Sequence, residues 1–327
     1  MSAVLAPHMS RTHTVGMRCP ACKLPLCELT LADVSAKVAC SRCGFEIASH
    51  GGIWRALPPA RELYFRRFIA DYVAIRRREG RGSDLPDYYL ALPFRDLSGA
   101  NSWQWRIRAC SFQCLQRGLL PRLERRSGGV LQVLDLGAGN GWLSYRLGLR
   151  GHDCVAVDLL DDDLDGLGAV RHYRSRVVRP IACFQAEMDC LPFADRQFDL
   201  AVFNAAFHYS ENYARTLSEV LRCVRPGGCV AIVDSPWYKT DESGRAMVLE
   251  KHAAFESRHG TRSNSLASQE YLTPDRLCEL ERLCRVRWNA VEPWYGWKWA
   301  WRPWKARLQG KRTPAKFLLL WTTVGVA

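Results

Sequence analysis

Nowhere in its 327 residues does the sequence run to the roughly 18 uninterrupted apolar residues that a membrane-spanning helix needs. A transmembrane segment is therefore not expected. The opening residues, MSAVLAPHMSRTHTVGMRCP, lack a basic start followed by an apolar core, so no export signal is read there and a cytoplasmic chain is expected. No repeat or low-complexity tract is evident outside one tryptophan-rich segment. Acidic residues are in deficit, 33 against 46 Lys and Arg, and the net charge of +13 suits nucleic acid, an anionic membrane face or an acidic substrate without choosing among them. Apolar residues are not scarce. At 48% with a mean hydropathy of −0.20 they exclude a disordered chain.

Fourteen cysteines stand in a chain expected in a reducing compartment, where metal ligation or plain burial is their use rather than disulfides. Four are patterned. Cys19-x-x-Cys22 and Cys40-x-x-Cys43 are separated by 17 residues, the two-knuckle spacing of a zinc ribbon in which each turn presents two thiolates to one tetrahedral ion. Pro20 and Gly44 suit such turns, and so short a stretch would draw its folding energy from the metal. A closed four-thiolate site leaves no vacancy for water, so Zn2+ here is expected to be structural. Cys27 is a spare ligand by proximity, but Cys22 fits the knuckle better.

Three regions follow from composition and patterning: residues 1–57, a ribbon module with a loose N-terminus ending at a Pro-Pro pair; residues 58–127, a helical linker or cap; and residues 128–327, a larger α/β domain. In the second, apolar residues recur at three and four from Arg61 to Arg78, a loop follows, and Asn101 to Arg126 reads as a helix that Pro121 ends or kinks. In the third, β-rich apolar runs alternate with helical ones. Alternation of that kind implies βαβ units and a parallel sheet with helices on both faces. Pro274, preceded by Thr273, opens a late helix, and strands near VRWNAVE and KFLLLWTTV close the chain.

The first strand ends at Asp135 and runs into Gly137-Ala138-Gly139-Asn140-Gly141, a tight turn at the carboxyl edge of the sheet, where ligands bind. Glycines let the backbone adopt positive φ and approach a ligand, and the helix beyond offers free N–H groups. A dinucleotide loop has the form G-x-G-x-x-G; here the third glycine comes one residue early, which weakens a pyrophosphate reading. Asp158 ends the next strand, 17 residues past Gly141, where a carboxylate can accept both hydroxyls of a ribose. Leu159 and Leu160 can wall an adenine.

D-x-G-x-G-x-G, an acid after the second strand, an acidic residue ahead of Leu-Pro-Phe, F-D-L-A-V-x-N and then R-P-G-G together resemble the class I S-adenosylmethionine-dependent methyltransferases, over roughly Val130 to Asp234. The similarity leans to the branch that includes the ubiquinone and menaquinone C-methyltransferases. It implies a Rossmann-like, mostly parallel seven-stranded sheet with an antiparallel last strand. It also implies that Asp135, Gly137, Ala138, Gly139 and Gly141 hold the amino-acid moiety of S-adenosyl-L-methionine. Asp158 would then meet the ribose, Glu187 and Met188 the adenine, and Asn204 the methionine end. In that family the Glu187 position is more often Asp. His208, in NAAFHYS, falls where relatives place residues by the transferred methyl and can be read as a general base or as a packed histidine. The acids of 161–165 read as helix-start residues rather than as a metal site.

The acceptor side is less specific. Residues 293–312, PWYGWKWAWRPWKARLQGKR, hold five tryptophans and six Lys or Arg with no acid. Trp294, Trp297, Trp301, Trp304 and Leu308 share one helical face, although Gly296 and Pro303 argue against a continuous helix. The segment suits peripheral membrane contact, single-stranded nucleic acid, or a hairpin packed over the core. Tyr88, Tyr89, Trp103, Arg106 and Arg108 precede the first strand, and Arg108 can pair with the cofactor carboxylate. A ribbon before such a domain also resembles the bacterial ribosomal RNA guanine-N1 methyltransferases, although that family has a histidine among its metal ligands. Three functions follow: a methyltransferase of a small-molecule or lipid-like acceptor, an RNA base methyltransferase, or a non-catalytic binding protein of the same fold. The sequence does not speak to oligomeric state.

Overall fold

The computed structural model describes residues 14–31, 36–259 and 265–325. The loose start expected for the first dozen residues lies outside the described residues. β1 (Thr14–Arg18) and β2 (Pro25–Thr30) form an antiparallel hairpin, and β3 (Lys37–Ala39), β4 (Glu46–His50) and β5 (Ile53–Arg55) an antiparallel meander. The two cysteine pairs sit in the β1–β2 and β3–β4 turns.

α1 (Pro59–Arg78) begins on a proline, which loses no helical hydrogen bond at that position. α2 (Pro86–Ala91) lies within the stretch read as loop. α3 (Ser102–Gly118) and α4 (Leu120–Ser127) divide the expected single helix at Leu119, with Pro121 in the first turn of the second. The sheet domain then runs β6 (Gln132–Leu136), α5 (Trp142–Gly148), β7 (Asp153–Asp158), β8 (Ala182–Gln185), β9 (Phe198–Asn204), α6 (Tyr213–Cys223) and β10 (Val224–Val233). After it come β11 (Pro236–Trp237), α7 (Asp241–His259), α8 (Pro274–Cys284), β12 (Asn289–Val291), α9 (Trp297–Ala300), α10 (Arg302–Leu308), β13 (Lys316–Phe317) and β14 (Leu319–Thr323). Thr273 caps α8 by accepting from the Arg276 N–H at 3.3 Å.

One difference concerns 161–173. The acids sit in a turn, where Asp162 accepts from the Leu164 and Asp165 N–H groups, and only a 3₁₀ helix follows at Leu167–Tyr173. They are turn formers and ion-pair partners rather than first-turn helix residues.

The main sheet has the order β12-β14-β10-β9-β6-β7-β8-β5-β4-β3. From β8 to β12 this is the expected seven-stranded arrangement: β6 to β10 are parallel, and β14 pairs antiparallel with β10 and β12. Strand order reverses at β6, between β7 and β9, which opens a crevice at the carboxyl ends. Alternate residues feed opposite cores, so Leu134, Val155 and Val157 pack on one face while Val133, Cys154 and Ala156 pack on the other. Strands β3, β4 and β5 join this sheet. β5 pairs in parallel with β8, and Trp54, 1% exposed, stacks on Phe184 at 6.1 Å, so three strands of the N-terminal module extend the sheet to ten.

Candidate functional site

The glycine turn occupies the crevice at the end of β6. Gly137, Gly139 and Gly141 have φ of 67°, 54° and 74°, the left-handed region that other residues enter at a cost of about 1–2 kcal/mol. Two of them are also required by packing. A Cβ at Gly137 would meet the Ala206 Cβ at 2.3 Å, and one at Gly141 the Val170 Cγ2 at 2.5 Å, whereas at Gly139 the nearest atom is the Asp165 carbonyl oxygen at 3.5 Å. The Gly137 and Ala138 N–H groups donate to the Val157 carbonyl, tying the loop to β7.

Asp158 closes the other side. Its Oδ2 accepts from the Gly139 N–H at 2.7 Å and its Oδ1 from the Leu160 N–H at 2.9 Å, and burial pushes the carboxyl up to about 6. Asp135 is buried beneath the loop, accepting from the Ser144 N–H and Oγ while burial holds it up at about 7. It ties the end of β6 to α5 and is not among the residues that line the cleft. Asn204, at the end of β9, has a side-chain nitrogen and oxygen that are both buried and without a partner. Such groups normally find one, and here they line the cleft.

Arg108 reaches the same cleft from α3. Its guanidinium lies over the Trp105 ring at 4.6 Å, and among the described residues it makes no ion pair; burial pushes it down to about 10. A desolvated cation that no carboxylate contacts, with only the fields of Asp234 and Asp165 reaching it, is a site for an anion. Trp103, Tyr88 and Tyr89 do not join it. Trp103 is 46% exposed and faces Trp299, and the tyrosines are buried in the core.

Leu159, Glu187 and Met188 line the cleft as expected, but Glu187 already has a partner. The Arg61 guanidinium, from α1, donates to both its oxygens at 2.8–3.1 Å. α1 is the contribution that sequence reasoning missed: Phe65, Phe68, Tyr72 and Arg76, three to four residues apart, wall the cleft, and Arg76 pairs with buried Asp165 at 3.2 Å. The apolar spacing was visible; that this face meets a ligand cleft was not. His208 is not among the lining residues, though Tyr209 is. Burial pushes His208 down to about 3, with Ser235 Oγ 3.4 Å from its Nδ1, so it is neutral and weakly basic at neutral pH.

A second cavity of about 450 Å³ shares Phe68, Tyr72, Arg76 and Tyr209 with the first. Its remaining wall comes from the end of α1, from α7 and from the chain ahead of α8, including Lys251, paired to Glu270 at 2.7 Å. The volume falls in the range of small-ligand pockets.

Cys19, Cys22, Cys40 and Cys43 converge with all four sulfurs within 4.8 Å of one another, and Cys27 lies outside the group. The turns are equivalent: Lys23 N–H donates to the Cys19 carbonyl at 2.8 Å and Gly44 N–H to that of Cys40 at 2.9 Å, with Lys23 and Gly44 both left-handed. Sulfurs around zinc at about 2.3 Å stand roughly 3.8 Å apart. The Cys19–Cys43 and Cys22–Cys40 separations of 3.6 and 3.4 Å fit that donor set. Backbone N–H groups of Cys43 and Arg42 hold the Cys40 thiol down to about 6, while burial pushes Cys19 up to about 12.

The strand order, the glycine turn at its reversal and the carboxylate one strand over define the Rossmann-like class I methyltransferase fold. Residues 134–232 match the methyltransferase domain family. Among curated relatives, the malonyl-[acyl-carrier protein] O-methyltransferase of Erwinia pyrifoliae is 35% identical over 36% of this chain and 42% of its own length. The enzyme of the same name from Pseudescherichia vulneris is 30% identical over 54% and 61%. An uncharacterized methyltransferase of Mycobacterium tuberculosis is 37% identical over 38% and 44%. The chain thus spans about half the length of the curated relatives it matches. The solved 1,6-didemethyltoxoflavin-N1-methyltransferase of Burkholderia thailandensis is 17% identical, with a TM-score of 0.45 over 79% of this chain and 91% of that one. Among the described residues no helix is long and apolar enough to cross a membrane.

Proposed function

We infer that this chain is an S-adenosylmethionine-dependent methyltransferase acting on a small-molecule or lipid-like acceptor. The observation that carries the reading is a cleft that joins three features: a left-handed glycine turn, the unpartnered Asn204 amide and an Arg108 cation in no ion pair among the described residues. An amino-acid group satisfies all three, and Asp158 across the turn suits a ribose. S-adenosylmethionine, when bound, supplies a methyl group on a sulfonium. The chain's own residues do the rest by position: Arg108 holds the carboxylate end, which the bare glycine Cα atoms let approach the turn, Asp158 holds the sugar, and Phe65, Phe68 and Tyr72 shut out water. Much of the rate of an in-line displacement comes from such alignment in a dry pocket, so few proton-moving groups are needed. Tyr209, on the wall shared by both cavities, is better placed than His208 to touch an acceptor.

The adjoining 450 Å³ cavity, lined by the rings of Phe68, Tyr72, Tyr209 and Phe255 and by charged side chains that include Arg76 and Lys251, is the acceptor site in this reading. Relatives named for malonyl-[acyl-carrier protein] support an acceptor with a lipid-like body. The four-cysteine centre holds a structural zinc ion, and the free thiols throughout suit a cytoplasmic setting. The test is transfer of labelled methyl from S-adenosylmethionine to separated lipid, soluble-metabolite, acyl-carrier and RNA fractions. Label in one of the first three supports the reading; label in RNA alone, or cofactor binding with no labelled fraction, overturns it.

A further inference from the structure

The tryptophan-rich segment has two faces. Trp299, 8% exposed, is packed against Tyr295 at 4.9 Å and Phe317 at 5.5 Å, with the Arg302 guanidinium 3.8 Å above its ring. That side anchors the segment. The other side is bare: Trp294, Trp297, Trp301, Trp304 and Leu308 are 62%, 74%, 66%, 65% and 86% exposed. Pro303 does not break the row. α9 and α10 join through Trp301, whose N–H donates to the Trp297 carbonyl at 3.0 Å and whose carbonyl accepts from Lys305 at 3.1 Å.

On a helix turning about 100° per residue, the row Trp297, Trp301, Trp304, Leu308 occupies a stripe about 60° wide. Lys298 and Lys305 flank it on one side and Arg307 on the other, with Lys311 just beyond. All four cations are exposed, and none of their side chains makes a hydrogen bond or ion pair among the described residues. Arg302 and Arg312 are already engaged, the latter with Glu250 at 2.7 Å. No acid lies between 293 and 312.

We propose that this face docks the protein on an anionic lipid bilayer, with the indoles at headgroup depth and the flanking cations against lipid phosphates. Water is a poor partner for five large apolar side chains in one row. A lipid interface takes indole rings with their N–H groups wet, and its negative charge complements cations that no described residue neutralises. The stripe with cations on both shoulders is the pattern of a helix lying in the interface plane. The proposal does not depend on the methyl-transfer reading, because binding to lipid involves no chemistry.

Vesicles test it. The full chain is sedimented with phosphatidylcholine vesicles, with or without phosphatidylglycerol, and its tryptophan emission is followed with brominated acyl chains. Retention by the anionic vesicles, weakened by salt, and quenching by bromine are expected. Trp301→Ala with Trp304→Ala and Leu308→Ala lowers retention by about tenfold or more. Lys298→Gln with Lys305→Gln and Arg307→Gln lowers anionic retention on the order of 100-fold. All six side chains are exposed, and an unchanged unfolding midpoint verifies the fold. Absence of retention or quenching for the parent overturns the proposal, as does parent-like binding by both variants, or capture of single-stranded RNA but not vesicles.

Discussion

Replacing Asp158 with asparagine separates charge from shape at the cleft. The carboxylate accepts from Gly139 and Leu160 and has lone pairs left for two ribose hydroxyls. Asparagine keeps the oxygen facing Leu160 but turns an N–H2 toward the Gly139 N–H, donor against donor. The variant loses one charge-assisted hydrogen bond to the sugar, about 1.5–3 kcal/mol, which is roughly 10- to 150-fold in Kd. Calorimetry with S-adenosylhomocysteine reads this directly. The pH dependence follows from the same group. Burial holds it up at about 6, so the ionised form that accepts ribose is complete above that pH, and affinity falls about tenfold per unit below it. In the unliganded chain the sign is opposite. A carboxyl whose folded pKa lies above its unfolded value of about 3.9 keeps its proton in the folded state, so its contribution to stability falls as pH rises from about 4 to 6. Asp135, up at about 7, extends that window. Asparagine at 158 binding within about threefold of the parent, or flat parental affinity between about pH 5 and 7, would refute the reasoning.

Arg108→Met should weaken S-adenosylhomocysteine by about tenfold or more while leaving methylthioadenosine, which has no carboxylate, almost unchanged; equal losses for both would assign Arg108 a packing role. Gly137→Ala forces a left-handed alanine against Ala206 and should cost about 2–5 kcal/mol in urea unfolding without cofactor. A midpoint equal to the parent's contradicts it. Elemental analysis of the purified chain should find about one zinc, lost in Cys22→Ser together with a lowered unfolding temperature. Full stability in that variant would remove the structural role.

The glycine turn, Asp158 and Asn204 were legible because strand, turn and helix follow one another locally, and motif spacing alone brings them to one edge. The cysteine centre was legible for the same reason. The Arg61–Glu187 pair was not: its members are 126 positions apart, and nothing in an arginine-studded amphipathic helix tells which arginine turns inward. The aromatic wall from α1 was hidden likewise, since Phe65, Phe68 and Tyr72 at helical spacing read equally well as core. His208 shows the opposite case, a suggestive residue that is buried while its neighbour Tyr209 lines the cleft. β5 is three residues long and pairs with a strand more than 120 residues away, so no periodicity could announce it. The face formed by Trp297, Trp301, Trp304 and Leu308 was visible in the spacing despite Pro303.

Residue 57 marks a change in composition, not a place to cut. Beyond the β5–β8 pairing, Ala56 N–H donates to Gln185, Arg18 N–H to Pro192 and Ala194 N–H to Gly16, so the N-terminal strands fasten the loop carrying Glu187 and Met188 on both sides. A recombinant fragment starting at 128 would leave the β8 ladder open and Phe184 uncovered, and an open edge of that kind recruits other copies. Such a fragment should precipitate, and crystallographers or engineers trimming this chain should keep the first strands.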